Sequence, residues 1–123
     1  MKTILLDTNA LMAVATWKID VVEELKKTAD LPDKVAVLEG TIQELQKIAQ
    51  ERTGKERRAA KLAIALLNAK CVPSIPGRGN VDDLLVDYSR KGYLVLTQDR
   101  ELKKRLSRPY LTIRQKKKVV VIS

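Results

Sequence analysis

The chain contains no histidine and no phenylalanine, and its only aromatic side chains are one tryptophan and three tyrosines. The absence of histidine excludes the usual zinc sites, Ser/His/Asp hydrolysis and acid–base catalysis by imidazole. The single cysteine, Cys71, permits no internal disulfide, and its apolar surroundings predict a small buried residue. Any chemistry must therefore use carboxylates, hydroxyls, lysines or arginines.

Long apolar runs are also missing. No stretch approaches the roughly 20 residues needed to span a bilayer. The first two residues lead directly into a strand pattern and not into a signal peptide. We therefore expect a cytoplasmic protein without a membrane partner, folded as a single domain over residues 1–123.

Positive charge is in excess, because 24 Lys and Arg stand against 15 Asp and Glu, which gives a net charge of +9. Such a surplus attracts polyanions, and nucleic acid is the first candidate. A high content of Lys, Arg and Glu is also typical of thermophile surfaces. Thermostability asks for mixed charge, however, and does not require a surplus of one sign.

Strand patterns alternate with helix patterns along the chain. Strands are predicted over residues 3–6, 35–38 and 93–97, with a minimal strand at Val72 and one or two strands in the tail around 111–113 and 119–122. Gly40 is predicted as a turn, Thr41 as the start of a helix, and Asn9 as a helix cap. This alternation predicts a three-layer α/β/α sandwich around a central, mostly parallel sheet.

Five acidic residues lie at predicted strand-to-helix junctions. Each has a structural explanation of its own: a turn, a capping box formed by Thr41 and Glu44, or a helix N-cap. In a parallel sheet, however, all such junctions lie at the carboxyl edge, where these folds bind ligands. The residues that converge there are Asp7, Glu44, Asp82, Asp83 and Asp99.

Several carboxylates without a basic partner repel one another, unless a cation neutralises them or their pKa values rise. The hard ions Mg²⁺ and Mn²⁺ take such oxygen ligands, together with water and phosphate oxygens. One or two ions of this kind would activate water for in-line attack on a phosphodiester, which needs no histidine. A basic surface would hold the backbone of the polyanionic substrate.

Four motifs in this order and spacing resemble a PIN domain, a family of metal-dependent ribonucleases with a topology like that of 5′-nucleases and RNase H. The motifs are Asp7-Thr-Asn, Thr41-x-x-Glu44-Leu, Asp82-Asp-Leu-Leu and Leu96-Thr-x-Asp99-Arg-Glu-Leu. The resemblance covers essentially the whole chain. The acid pair and the basic run after Asp99 are similar to the branch that acts in small-subunit ribosomal RNA processing, here in a minimal, archaeal form.

The resemblance implies roles for individual residues. The catalytic residues would be Asp7, Glu44, Asp82 and Asp99, the same four would bind Mg²⁺ or Mn²⁺ with Asp83 as an additional or substitute ligand, and Thr8, Asn9 and Thr97 would orient Asp7 and Asp99. Among the basic residues near the predicted cleft, the candidate RNA contacts are Arg57, Arg58, Arg78, Lys103 and Lys104.

These features favour a Mg²⁺/Mn²⁺-dependent endoribonuclease that cuts single-stranded RNA in ribosomal RNA maturation, because a flexible strand fits an open notch better than a duplex does. The resemblance also admits a homodimer. Two alternatives share the site: a ribonuclease toxin of a toxin–antitoxin pair, and a non-catalytic RNA-binding ribosome assembly factor. A haloacid-dehalogenase-like phosphatase is disfavoured, because it needs a second Asp where this chain has Asn9.

Overall fold

The computed structural model describes residues 3–27, 34–77 and 79–123, without the side chains of residues 22 and 26. The strands are β1 (Thr3–Leu6), β2 (Lys34–Leu38), β3 (Ser74–Ile75), β4 (Leu94–Leu96), β5 (Tyr110–Arg114) and β6 (Lys118–Ile122). The helices are α1 (Thr8–Trp17), α2 (Val21–Lys27), α3 (Glu39–Glu51), α4 (Gly54–Ala69), α5 (Val81–Arg90) and α6 (Arg100–Arg105). The predicted three-layer α/β/α architecture is confirmed.

All six strands form one sheet in the order β3-β2-β1-β4-β5-β6. The first five strands are parallel, and β6 returns antiparallel to β5 as the second arm of a hairpin. The chain moves outward from β1 to β3 and then crosses back to β4 on the other side of β1. Strand order therefore reverses at β1, and the carboxyl end of such a strand is where open α/β sheets bind ligands.

Side chains of the central strands alternate between two apolar cores. Ile4 and Leu6 of β1 pack with α1, α2, α3 and α4 on one face of the sheet, whereas Leu5 packs with α5 and α6 on the other. In β4, Leu94 and Leu96 join the first core and Val95 the second. Because both faces are covered, the strands read as continuous apolar runs and do not alternate with polar residues.

Helix α3 begins earlier than the sequence predicted. Leu38, the last residue of β2, is also the N-cap of α3, so the helix starts at Glu39 and the predicted turn at Gly40 is wrong. The predicted capping box between Thr41 and Glu44 is likewise wrong, because Thr41 lies inside the helix. The buried strand runs directly into the helix, and no loop residue separates them.

Three further local predictions need correction. Asp7, and not Asn9, caps α1. The short edge strand lies at Ser74–Ile75, so the strand predicted at Val72 is displaced by two residues. Cys71 is exposed and not buried, because it forms the turn after α4 with a φ of 52°, while the neighbouring Val72 packs against the first core.

Within the ranges that the structure describes, no helix is both long enough and apolar enough to cross a membrane.

Gly40 allows a close approach between the first turns of α3 and α5. A Cβ atom at this position would lie 2.8 Å from Val81 Cγ2, which is shorter than any normal carbon–carbon contact. Val81 is branched at Cβ and has no flexible end that could move aside. Gly40 therefore lets the helix that carries Glu44 pack against the helix that carries Asp82.

We predict that Gly40→Ala destabilises the protein by about 1 kcal/mol, because overpacking costs about 1–3 kcal/mol and helix propensity returns up to about 1 kcal/mol. In a Val81→Ala background the same substitution should stabilise, since the clash is gone. Urea unfolding of the single and double variants measures this coupling. Strictly additive effects would contradict the close approach.

Candidate active site

Asp7 is the central acid of the carboxyl edge, and the register of the sheet places it there. Leu6 of β1 is level with Leu96 of β4, so the residues that follow them, Asp7 and Thr97, are neighbours. The Asp7 amide donates to the Leu96 carbonyl at 3.0 Å. Asp7 is 4% exposed and Thr97 is fully buried, so this carboxylate is held inside the protein.

Thr97 connects two of the acids. The Thr97 hydroxyl donates a hydrogen bond to Asp7 Oδ2 at 2.7 Å. The hydroxyl oxygen of Thr97 also accepts a hydrogen bond from the Asp99 amide at 3.0 Å. The other oxygen of Asp7 accepts the Thr8 amide at 2.8 Å, which caps α1. The side chain of Thr97 thus fixes the position of the Asp99 backbone relative to the Asp7 carboxylate.

Thr8 connects Asp7 to the acid on the next helix. Its hydroxyl donates to Glu44 Oε1 at 2.8 Å, across 36 positions of sequence. The side chain of Asn9 does not cap α1. Its Oδ1 accepts a hydrogen bond from the Gln98 amide at 3.4 Å. Of the three predicted orienting residues, Thr97 therefore contacts Asp7 and Asp99, Thr8 orients Glu44 and Asp7, and Asn9 contacts the loop that leads to Asp99.

Two acids of the edge, Asp7 and Asp82, have raised pKa values. Burial is the main cause that raises the pKa of Asp7 from 3.8 to about 6. Hydrogen bonds from Thr97 and Thr8 oppose the increase, and the negative charges of Asp82 and Glu44 add to it. Asp82 also has a raised pKa, through burial first and then the charge of Asp99. Four carboxylates from four elements therefore share one electrostatic field.

The Asp82–Asp83 pair divides into two environments. Asp83 Oδ1 accepts a hydrogen bond of 2.6 Å from Arg105 Nη2, an ion pair that joins α5 to α6. Asp82 instead interacts with Asp99, and burial together with the charge of Asp99 raises the pKa of Asp82. The charge of Arg105 partly opposes this increase. The geometry thus favours Asp82 over Asp83 as the third acid of the cluster.

Asp99 also has a structural role, because its Oδ1 accepts the amides of Glu101 and Leu102 and caps α6. Within the described part of the chain, Asp99 Oδ2 and Glu44 Oε2 accept no hydrogen bond. Both oxygens are therefore available to a further partner. One turn before Glu44, the wholly buried Thr41 hydroxyl also lacks a partner.

The chemistry of these donors suits Mg²⁺ or Mn²⁺, since every group is a hard oxygen. Among the described residues, no three acids lie close enough to hold one ion together as they stand. This arrangement fits an ion that takes one or two carboxylates directly and completes its shell with water and substrate phosphate, as Mg²⁺ usually does. Asp7, Glu44, Asp82 and Asp99 would supply those ligands.

Gln98 is a positioning residue beside the site that the sequence did not indicate. Its Oε1 accepts the Thr112 hydroxyl and the Ile113 amide at 2.7 Å each, and its Nε2 donates to the Ile113 carbonyl at 3.2 Å. Gln98 therefore ties the loop between Thr97 and Asp99 to the end of β5. Its position between two motif residues was the one signal available in the sequence.

The candidate RNA contacts lie in different places. Arg57 and Arg58 are exposed on α4, and Lys103 is half-buried on α6. Lys104 is exposed, with its Nζ 3.4 Å from Glu101 Oε1. Arg78 lies outside the described residues. Their roles stay predictions.

A cavity of about 500 Å³ lies at the opposite edge of the sheet, at the amino ends of β1 and β2. Lys34, Lys70 and Cys71 are among the residues that line it, and none of the acids in the described ranges does. The acids of the carboxyl edge therefore form a separate site, open to solvent through the exposed Glu44.

We predict that the contribution of Asp7 to the stability of metal-free protein decreases as the pH rises from about 4 to about 6. In this window the folded protein binds more protons than the unfolded chain, because Asp7 has the higher pKa when folded. The increase in the pKa of Asp7 from 3.8 to about 6 corresponds to about 3 kcal/mol in the free energy of unfolding. Asp7→Asn removes the charge, so it should raise the stability of metal-free protein most above pH 6.

Thermal unfolding in EDTA from pH 4 to pH 8 measures this difference. The matched control is Asp87→Asn, which removes an exposed acid from the same protein. A stability difference between Asp7→Asn and wild type that does not change with pH would contradict the burial of an ionisable Asp7.

Comparison with known proteins agrees with the fold. A family model described as a PIN-like domain matches residues 4–116. Ribonuclease VapC9 of Archaeoglobus fulgidus is 33% identical over 100 residues, which are 80% of this chain and 71% of that protein. The solved structure of the PIN domain endonuclease Utp24 has a TM-score of 0.76 at 22% identity, with 97% of this chain and 90% of that chain covered. At that identity the structural likeness shows the fold alone.

Proposed function

Because the chain belongs to the PIN-like domain family, we propose that it is a metal-dependent endoribonuclease that cuts single-stranded RNA at the carboxyl edge of its sheet. One observation carries the proposal: the buried Asp7 carboxylate, whose pKa is raised to about 6, shares its field with Glu44 and Asp82. The relative named as a ribonuclease supports RNA as the substrate class.

The cluster is poorly suited to a purely structural role. Mutual repulsion and burial both disfavour the charged form of Asp7, so the acids cost stability at neutral pH in the absence of a counterion. Perturbed carboxylates at a switch point of an α/β sheet are typical of functional sites. A divalent ion bound here would supply charge neutralisation and an activated water for attack on a phosphodiester.

The protein's own groups hold the acids ready for that chemistry. Thr97 fixes the Asp7 carboxylate and the Asp99 backbone, and Thr8 holds one oxygen of Glu44. Each carboxylate oxygen that accepts one of these hydrogen bonds still has a second lone pair, which can bind an ion. The ion pair from Arg105 to Asp83 keeps a positive charge beside Asp82 without blocking the other acids.

We predict that Asp7→Asn or Asp99→Asn lowers manganese-dependent cleavage of single-stranded RNA by about 100-fold or more, because even the outer partners of a metal site contribute 10–100-fold. The readout is the rate of cleavage of an end-labelled RNA with Mn²⁺, with Mg²⁺ and in EDTA. Circular dichroism checks that each variant remains folded.

The exposed Asp87 provides the control, and Asp87→Asn should leave cleavage unchanged. Cleavage that persists in both site variants, or in EDTA, would refute the proposed metal-dependent mechanism. RNA binding of wild-type protein without cleavage under any divalent ion would instead support a non-catalytic RNA-binding assembly factor.

Within this activity, we place the enzyme in ribosomal RNA processing. The support is the Asp82–Asp83 pair and the basic run after Asp99, which resemble that branch of the family. A ribonuclease toxin of a toxin–antitoxin pair shares the acids and the chemistry. Sequencing of new RNA 5′ ends after expression separates the two: ends in a ribosomal RNA precursor support processing, and ends in messenger or transfer RNA support the toxin.

A further inference from the structure

Three basic side chains next to Asp99 form a cluster without an ion-pair partner. Arg100 and Lys103 lie one turn apart on α6, and Arg114 is the last residue of β5. We call these three residues the basic cluster. No acid forms an ion pair with any of them within the described ranges.

Topology brings the basic cluster to the acidic edge. Strand β5 is parallel to β4, so its last residue, Arg114, lies at the same edge of the sheet as Asp99. Gln98 locks this arrangement, because its side chain makes three hydrogen bonds to Thr112 and Ile113. The residue before Asp99 therefore fixes the residues before Arg114.

The charges of Arg100 and Arg114 act on Lys103. Burial is the main cause that lowers the pKa of Lys103, and the charges of Arg100 and Arg114 lower it further, while Asp99 acts in the opposite direction. Uncompensated like charges at close range destabilise a surface unless an anion occupies it. Other basic residues of the region differ, since Lys104 pairs with Glu101 and Arg105 with Asp83.

The lysines of the β5–β6 turn belong to a different surface. The Lys116 ammonium lies 6.0 Å from the centre of the Trp17 ring, and Lys116 and Lys117 line a cavity with residues of α2. Arg114, by contrast, acts on Lys103 of α6, and Lys118 is level with it on β6. The hairpin presents its basic residues on two separate sides.

We propose that Arg100, Lys103 and Arg114 form a phosphate-binding subsite that holds the backbone of single-stranded RNA on the Asp99 side of the cleft. The inference rests on the proposed function and identifies where the substrate strand leaves the acids. A polyanion that follows this surface would place neighbouring phosphates on the three cations. These contacts carry no sequence information, because they read the backbone and not the bases.

The test measures RNA binding without cleavage. A fluorescent single-stranded RNA is titrated with the full chain in EDTA at several salt concentrations, using wild type, Arg114→Gln and Lys103→Gln. Each variant should weaken binding roughly five-fold at low salt and reduce the slope of log K against log salt by about 0.7, the value for one lost contact to a single strand.

The matched control is Lys70→Gln, which removes the same charge at the opposite edge of the sheet, where Lys70 pairs with Asp20. This control should keep the wild-type slope and lose less than about two-fold in affinity, because Lys70 lies far from the acids of the carboxyl edge. Equal losses in Lys103→Gln and Lys70→Gln would show a diffuse field and overturn the subsite. Wild-type slopes in both cluster variants would overturn it as well.

Cleavage assays separate this inference from the proposed function. With Mn²⁺ present, Arg114→Gln should raise KM and leave kcat near the wild-type value, since Arg114 contacts the strand and not the acids. Wild-type protein that cuts RNA while both cluster variants bind it normally would refute the subsite alone. Wild-type protein that neither binds nor cuts RNA would refute both. Equal affinity for poly-glutamate and RNA would assign the surface to an acidic protein partner instead.

Discussion

A carboxylate buried among other carboxylates governs the structure at the carboxyl edge of the sheet. Asp7 is removed from water by the parallel pairing of β1 and β4, and hydrogen bonds from Thr8 and Thr97 satisfy its oxygens. These hydrogen bonds lower its pKa, but burial and the charges of Asp82 and Glu44 raise it more. The protein thus spends folding free energy to keep this acid in place, a pattern typical of functional sites.

The other elements can be understood from that constraint. Gly40 lets α3 and α5 approach, so that Glu44 and Asp82 affect the same centre. Arg105 forms an ion pair with Asp83, and its charge lowers the pKa of Asp82. Repulsion among the acids is thereby reduced without a cation beside Asp7. On the far side of Asp99, Gln98 fixes the end of β5 to the loop of the site. Hydrogen bonds and charge interactions therefore connect the acids of this edge with the residues around them.

The architecture could be predicted because the patterns that specify its strands and helices each lie within a short stretch of sequence. The apolar run before Asp7 and the run before Thr97 predict buried parallel strands, and parallel strands must end at a common edge. Asp20, Asn80 and Asp99 cap helices by the same short-range chemistry, because their side chains accept amides of the first helical turn. The family motif suggested the roles that we propose for the acids, which the fold alone does not give.

Contacts between residues that are distant in sequence could not be predicted from local patterns. The Arg105–Asp83 pair spans 22 positions and the hydrogen bond from Thr8 to Glu44 spans 36, so neither leaves a pattern in the sequence. Thr41 and Glu44 matched a capping box by spacing, but β2 continues directly into the helix and moves its start to Glu39. Cys71 looked buried from its apolar neighbours, whereas the turn after α4 places Val72, and not Cys71, against the core.

The titration of Asp7 itself shows whether this carboxylate is buried among acids that bind a cation. Carbon-13 NMR of the Asp7 carboxyl, followed from pH 3 to pH 9 in metal-free protein and again with Mg²⁺, reports its protonation without any assay of function. We expect a midpoint of about 6 without metal and a clear decrease when Mg²⁺ is added. A metal-free midpoint near the ordinary value of 3.8, or a midpoint that Mg²⁺ leaves unchanged, would contradict this expectation.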